Sequence, residues 1–355
     1  MLNTNNSAIT SANIRVYAQL IASILKSSYF GLIAYFATIF FSRETYLRAN
    51  NIILSSVLIV LVMVYAFPLI INNSSFGVSY LRTVLLWMLP IIYYSLGSKD
   101  LNNELYERLL IIMLVYTAIE FMLINFTSIS LFDADRLRTK VFGVIRGQGV
   151  AHNSSISSAL TVSIFLKIYL DKGFSKKIFL ITLGSVILLG SGAGMLLLIF
   201  SILFFVINKK ILFVLLLVLS LPIFLSQLPV QEMLSNIHPK ISHQYISYLI
   251  DDKYKQISYI LDADIQHILF GFSILENRVL TSGDFGYLTM IAGVGLVPAL
   301  ILLFGIFIMF IQASRIGNFA PFLILMIENI HYPVFVDPIS AYILAQYAMM
   351  KKIEK

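Results

Sequence analysis

One stretch decides the fold class of this chain. It runs from Lys177 to Asn208 and reads KIFLITLGSVILLGSGAGMLLLIFSILFFVIN. Two apolar runs flank a turn of small residues, Ser191-Gly192-Ala193-Gly194, and lysines lie before and after the pair. Each run is shorter than the roughly 20 residues with which an apolar helix crosses a bilayer. The stretch therefore predicts either two short membrane helices or one long broken helix.

The composition extends this interpretation to the whole chain. Of 355 residues, 59% are hydrophobic and only 12% are charged, and the mean hydropathy is +0.88. A soluble domain carries about 25% charged residues. Apolar runs recur along the whole length, so we predict an all-α, polytopic integral membrane protein. It would form a single membrane domain, 1–355, with about 10–11 transmembrane helices.

Hydropathy places the predicted membrane helices between polar segments. The first 26 residues are rich in Asn, Thr and Ser, and they lack the pattern of a cleavable signal peptide. We predict spans at about 27–42, 51–71, 77–97, 105–126, 153–170, 177–190, 193–208, 211–227, 285–311, 318–332 and 338–350.

The loops sort by charge. Short loops rich in Lys and Arg should be cytoplasmic, which leaves two long loops, 127–152 and 228–284, on the outer side. The N-terminus would then lie outside, unless an additional helix from Ile14 reverses it. Apolar residues recur at helical spacing over 241–270. This segment is either a lid over a cavity or a helix that only packs on the bundle.

The first outer loop concentrates basic and glycine residues at the start of a helix. Arginine donates in a fork suited to phosphate, glycine permits close backbone approach, and a helix N-terminus favours anions. The alternative is that these cations bind lipid headgroups and the glycines make turns. The predicted pyrophosphate-binding residues are Arg136, Arg138, Arg146, Gly147, Gly149 and Asn153.

Two residues are candidates for the proton acceptor. His152 can take a proton near neutral pH, although a lone loop histidine is more often a structural hydrogen-bonding group. Asp284 lies at the outer start of a predicted helix, where it could be the base, orient a sugar hydroxyl, or simply cap the helix. Both are predicted catalytic residues.

Other polar groups lie in or beside the predicted spans, where ionisable residues are costly and suggest function. A buried Glu–Arg pair that holds the bundle together would explain two of them equally well. The small turn 191–194 could face a ligand or let helices pack closely. The candidates for substrate contacts are Arg82, Glu120, Arg278, Tyr287 and His331.

The sequence offers little for metals or cofactors. There is no close-spaced His and carboxylate set, no P-loop and no cysteine. The net charge of +7 is explained by cytoplasmic loops. We therefore expect no metal, no cofactor and no nucleic-acid partner.

Three motifs, in this order, resemble the O-antigen and capsule polymerase family, the Wzy-type membrane proteins related to O-antigen ligases. The first is Arg-x10-Gly, at Arg136 with Gly147 and Arg138 with Gly149, followed by Asn153. The second is the Gly190–Gly194 turn. The third combines Leu269-Phe270-Gly271, Asp284-Phe-Gly286-Tyr287-Leu288 and Gly293-Val-Gly295-Leu296. The chain departs from the family where Gly192 replaces an arginine, and where a histidine before the Gly-Tyr-Leu segment is absent.

The resemblance implies a function at the outer face of the inner membrane. Such polymerases join lipid-linked oligosaccharide repeat units, carried on undecaprenyl pyrophosphate, into O-antigen or capsular polysaccharide. The expected partners are that lipid-linked oligosaccharide, membrane lipids and a chain-length regulator. The closest rival is an O-antigen ligase, and a polysaccharide flippase or transporter is a rival from a different class.

Overall fold

Helices carry nearly all of the residues that the structure describes. The computed structural model describes residues 4–42, 74–97, 101–127, 140–141, 144–207, 254–255, 257–258, 260–263, 265–271 and 286–349. In chain order the elements are α1 (Thr4–Ile24), α2 (Ser28–Ser42), α3 (Ser74–Trp87), α4 (Leu89–Leu96), α5 (Asn103–Met122), a π-helical turn (Leu123–Thr127), β1 (Lys140–Val141), β2 (Val144–Ile145), α6 (Ser154–Lys172), α7 (Lys176–Leu189), α8 (Gly192–Ile207), α9 (Ile265–Phe270), α10 (Gly286–Val294), α11 (Leu296–Arg315), α12 (Phe319–His331), a 3-10 turn (Val334–Val336) and α13 (Pro338–Ala348).

Two helices form the centre of the bundle. Every residue of α13 is buried, and α6 is buried continuously from Ser154 to Ile168. Helices α5, α7, α8 and α12 pack against α6, while α1, α4, α11 and α12 pack against α13. A helix covered on all sides has no polar face to present to water. These two helices therefore set the positions of the others.

The central helix α6 is rich in serine, yet it is buried. Some of its hydroxyls bond within the helix: Ser158 Oγ donates to Ser154 O at 2.6 Å, and Thr161 Oγ1 donates to Ser157 O at 2.8 Å. Others bond to neighbouring segments, as Ser155 Oγ does to Ser191 Oγ. Buried polar groups need such partners. The small side chains also let neighbouring helices approach closely. The many small residues of α6 therefore allow the neighbouring helices to pack closely around it.

The peripheral helices expose apolar stripes. Two helical segments, Asn103–Thr127 and α11, are long and apolar enough to cross a membrane, and only 33% and 39% of their most apolar windows are buried. On the first segment the exposed apolar residues recur every three or four positions, on one face: Ile111, Val115, Ile119, Met122 and Phe126. Helix α11 presents the same kind of stripe at Leu300, Phe304, Phe307 and Ile311.

Most of the predicted helices that fall on described residues are confirmed as helices. The predictions at 27–42, 105–126, 153–170, 177–190, 193–208, 318–332 and 338–350 correspond to α2, α5, α6, α7, α8, α12 and α13. The pair around residue 190 is two helices, separated at Gly190 in the left-handed conformation with φ 52°. The predicted spans 51–71 and 211–227, and most of the loop 228–284, lie outside the described residues.

Two predicted helices are wrong in their continuity. The prediction 77–97 is divided into α3 and α4 near Met88, because Pro90 in the first turn of α4 has no N–H to donate. The prediction 285–311 is divided into α10 and α11 at Gly295, whose φ of 88° is left-handed. A glycine inside an apolar run can adopt this conformation without strain.

Helix α1 covers most of the polar N-terminal segment. Its C-terminus packs beside the turn between α12 and α13, where Ser23 Oγ donates to Asp337 Oδ1. Asp337 caps α13 by accepting from Ser340 N at 3.0 Å. Burial raises the pKa of the Asp337 carboxyl, and the hydrogen bonds from Ser23 and Ser340 oppose that rise. This contact joins the end of α1 to the start of α13.

Candidate functional site

The described part of the first predicted outer loop connects α5 to α6. Together with the start of α6 it contains Arg146, Gly147, Gly149, His152 and Asn153 of the predicted site. The other residues of the predicted site in the two predicted outer loops lie outside the described residues: Arg136, Arg138, Arg278 and Asp284.

A short hairpin leads into the loop. Strands β1 and β2 pair antiparallel, with Lys140 opposite Ile145. The side chain of Asn125, in the π-helical turn, then continues this pairing. Its Nδ2 donates to Ile145 O at 2.8 Å, and its Oδ1 accepts from Ile145 N at 2.8 Å. The residue directly before Arg146 is thus hydrogen-bonded to the end of α5.

The backbone that follows Arg146 is held by a buried carboxylate. Glu120 is 5% exposed, and its Oε2 accepts from Gln148 N at 2.9 Å and from Gly149 N at 2.8 Å. Gly147 N donates to Leu188 O at 3.0 Å. Glu120 was predicted as a candidate substrate contact, and in this structure its carboxylate binds the loop backbone.

Arg146 lines a cavity of about 290 Å³ between α5, the hairpin, α7 and the start of α8. Its neighbours in the lining are mostly apolar side chains, together with the turn of small residues: Phe121, Val144, Val186, Ile187, Ser191, Gly192 and Met195. The sequence treated the arginine loop and the small turn as separate motifs. The structure brings them together around one space.

The glycines of the loop are needed for packing. Gly149 has φ 71°, and a Cβ there would lie 2.7 Å from Ser157 Cβ. A Cβ at Gly147 would lie 3.1 Å from Thr117 Cγ2. Ser157 Oγ also donates to Gln148 O at 2.9 Å. The backbone of 147–149 is therefore pressed against α5 and α6.

His152 lies at the end of this loop and is 5% exposed. Its Nε2 is 2.5 Å from the carbonyl oxygen of Ile24, at the C-terminus of α1. Because a carbonyl only accepts, Nε2 carries the proton, and in neutral His152 the basic nitrogen is Nδ1. The terminal turn of α1 closes with Lys26 at φ 51° and Ser27 N donating to Ala22 O at 2.9 Å. Ile24 O is thus left for the imidazole.

Asn153 begins α6. Its Oδ1 accepts from Ser155 N at 2.9 Å and from Ile156 N at 3.3 Å, which makes it the N-cap. The predicted helix start is confirmed, and the pyrophosphate role stays a prediction.

We expect Asn153→Ala to lower the free energy of unfolding by about 1 kcal/mol, because the N-cap acceptor is lost. Asn153→Asp retains that acceptor and should preserve the melting temperature, while placing an anion where a pyrophosphate would bind. Thermal unfolding of the detergent-purified variants measures the first effect, and the glycan transfer that the family resemblance implies would serve to measure the second. Full transfer activity in Asn153→Asp would contradict pyrophosphate binding by Asn153. Unchanged stability in Asn153→Ala would contradict the cap.

Of the predicted site residues, only Arg146 is in the described lining of the cavity. Three further candidates lie away from the loop. Arg82 of α3 is exposed, with its guanidinium carbon 5.4 Å from the ring centroid of Tyr29. Tyr287 of α10 donates to Met326 O at 3.1 Å. His331 ends α12, with its ring 4.1 Å from that of Tyr332. Substrate contacts by these residues stay predictions.

Sequence reasoning missed the residues that hold the loop: Asn125, Leu188 and the C-terminus of α1. A hint existed for Asn125, since an asparagine at the end of an apolar segment needs a hydrogen-bonding partner. Among the described residues, no group of three or more His, Cys, Asp or Glu could hold a metal ion.

No family model, curated protein or solved structure matches this chain.

Proposed function

We propose that this chain is a multi-pass inner-membrane polymerase. It would join oligosaccharide repeat units, carried on undecaprenyl pyrophosphate, into O-antigen or capsular polysaccharide at the outer face. The observation that carries the proposal is Arg146, which lies in an apolar cavity beside the Ser191–Gly192 turn. A cation beside apolar walls suits a ligand with an anionic headgroup and a hydrocarbon chain.

The exposed apolar stripes support membrane insertion. Water-soluble monomers rarely expose apolar patches larger than a few hundred Å², whereas lipid-facing helices do so over their whole length. Helix α1 is not among the described helices that are long and apolar enough to cross a membrane, so the side on which the N-terminus lies stays a prediction.

The reaction would proceed at the anomeric carbon of the donor glycan. The bond from that carbon to the pyrophosphate oxygen breaks, and a bond forms to a hydroxyl oxygen of the acceptor repeat unit. Undecaprenyl pyrophosphate leaves as an anion, and the hydroxyl proton passes to a base. Arg146, with Arg136 and Arg138, would stabilise the charge that develops on the leaving group. Arginine supplies this charge without a metal ion.

The proposed base is His152 or Asp284. For His152, the hydrogen bond from Nε2 to Ile24 O makes Nδ1 the nitrogen that accepts a proton. A base acts only within hydrogen-bond reach of the proton it removes. His152→Gln and Asp284→Asn, each compared with the native chain across pH 5–9, would identify which group sets the lower limb of the activity profile.

A deletion strain of the host organism provides the test of the proposed function. A polymerase predicts single repeats on the surface of that strain and a long ladder after complementation with the native chain. Long lipid-linked polymer that never reaches its final acceptor would instead identify a ligase. Each outcome is visible on a surface-polysaccharide gel together with an extract of lipid-linked glycans.

Transport of the lipid-linked unit is a second candidate, favoured by the break between α10 and α11. Transporters bind substrates at interrupted helices. Here Tyr80 Oη donates to Val294 O at 2.8 Å, and a Cβ at Gly271 would lie 2.6 Å from the Val294 carbonyl carbon. Transport predicts that the deletion strain accumulates single repeats in the cytoplasmic leaflet, with none on the surface.

A further inference from the structure

We propose that Asn125 is a positioning residue for Arg146: Asn125 holds the arginine in the orientation that the transfer reaction needs. The inference rests on the proposed function, in which Arg146 stabilises the leaving pyrophosphate. An arginine side chain stabilises a developing charge efficiently only when its guanidinium is held close to the position where the charge forms. A fixed backbone is the first requirement for that, because it determines where the side chain starts.

The hydrogen bonds of Asn125 are specific to an amide of this length. Nδ2 donates to Ile145 O, and Oδ1 accepts from Ile145 N, both at 2.8 Å. The side chain thereby acts as a further strand residue beside β2. Aspartate would keep the acceptor and lose the donor, leucine would lose both, and glutamine would be one methylene too long.

The π-helical turn explains how Asn125 reaches the loop. Nδ2 of Asn125 also donates to Phe121 O at 3.0 Å, in the last turn of α5. In a regular α-helix, residues five apart, such as Glu120 and Asn125, point about 140° away from each other. The wider π-turn reduces this separation, and both side chains bind the same loop. Such turns are often found at functional sites.

The backbone on both sides of Arg146 is therefore anchored. Asn125 binds the preceding residue, Ile145, while Leu188 O and the carboxylate of Glu120 bind the following segment 147–149. Glu120 belongs to α5, Asn125 to the π-helical turn that follows it, and Leu188 to α7. The anchors hold the arginine at the wall of the cavity that it lines.

The test is a double-mutant cycle on the full chain, reconstituted in nanodiscs, with repeat units extracted from the deletion strain as substrate. Asn125→Leu should lower kcat about 10- to 100-fold with little change in KM or melting temperature. In an Arg146→Ala background the same substitution should cause no further loss of kcat, because its effect acts through Arg146. Phe126→Leu, an exposed position in the same turn, should leave kcat unchanged.

The alternative is that Asn125 only stabilises the fold. In that case Asn125→Leu would lower the melting temperature and would reduce kcat further in the Arg146→Ala background, which would overturn the proposal. If Asn125→Leu does not reach the membrane, Asn125→Gln is used in its place. We expect an intermediate loss of kcat in that variant. A native kcat in Asn125→Gln would overturn the inference. Native activity in Arg146→Ala itself would refute the proposed site. Loss of activity in Arg146→Ala, together with native kcat in both Asn125 variants, would refute only the positioning role of Asn125.

Discussion

Replacing Arg146 with alanine should reduce glycan transfer about 100- to 1,000-fold, which corresponds to a loss of about 2.7–4 kcal/mol of transition-state stabilisation. Arg146 lies in a cavity with mostly apolar walls, where a charge acts in a lower dielectric than in water. On a surface-polysaccharide gel of a complemented deletion strain, the long ladder should shrink to a band with a single repeat.

Two variants sharpen this experiment. Arg146→Lys keeps the charge and loses the planar fork, so it should retain part of the activity. Arg315→Ala removes an exposed arginine at the end of α11 and should leave the ladder unchanged at matched expression. A full-length ladder from Arg146→Ala would show that the cavity takes no part in the mechanism.

The sequence placed the start of α6 at Asn153, and this side chain caps the helix in the structure. Asn102 caps α5 in the same way, although only apolar content had predicted that helix. Apolar periodicity alone could not predict the break at Gly295, because a glycine in an apolar run is compatible with either a continuous or a broken helix. Tertiary packing decides between them, here through Tyr80 and Gly271.

The site was predicted by residue type more than by role. The concentration of cations and glycines pointed to Arg146 and the two glycines, and all three lie in the described loop. The Arg-x10-Gly spacing itself involves Arg136 and Arg138, which lie outside the described residues. The sequence assigned the glycine backbone to a pyrophosphate, whereas in the structure Gly147 and Gly149 are packed against α5 and α6. Glu120 lies 28 and 29 positions before the two loop N–H groups that it binds, and no local pattern indicates such a long-range hydrogen bond. Contacts of this kind become visible only when the helices are placed.

The second large effect should come from Gly194→Ala. In the structure a Cβ at Gly194 would lie 2.6 Å from Ser158 Oγ and closer still to Ser158 Cβ, at the contact between α6 and α8. Overpacking of this kind costs about 1–3 kcal/mol, and the gain in helix propensity returns at most about 1 kcal/mol. We expect a clear fall in the melting temperature of the detergent-purified protein.

Gly192 is the matched control, because it lies in the same turn and a Cβ there meets nothing within 4 Å. Gly192→Ala should leave the melting temperature unchanged or raise it, since only the propensity term acts. Adding Ser158→Gly to Gly194→Ala removes the Cβ that the new methyl group would meet, and the double variant should regain stability. Equal melting temperatures for the two single variants would mean that α8 does not approach α6 at Ser158. The Ser191–Gly192 wall of the cavity, which depends on that approach, would then be misplaced as well.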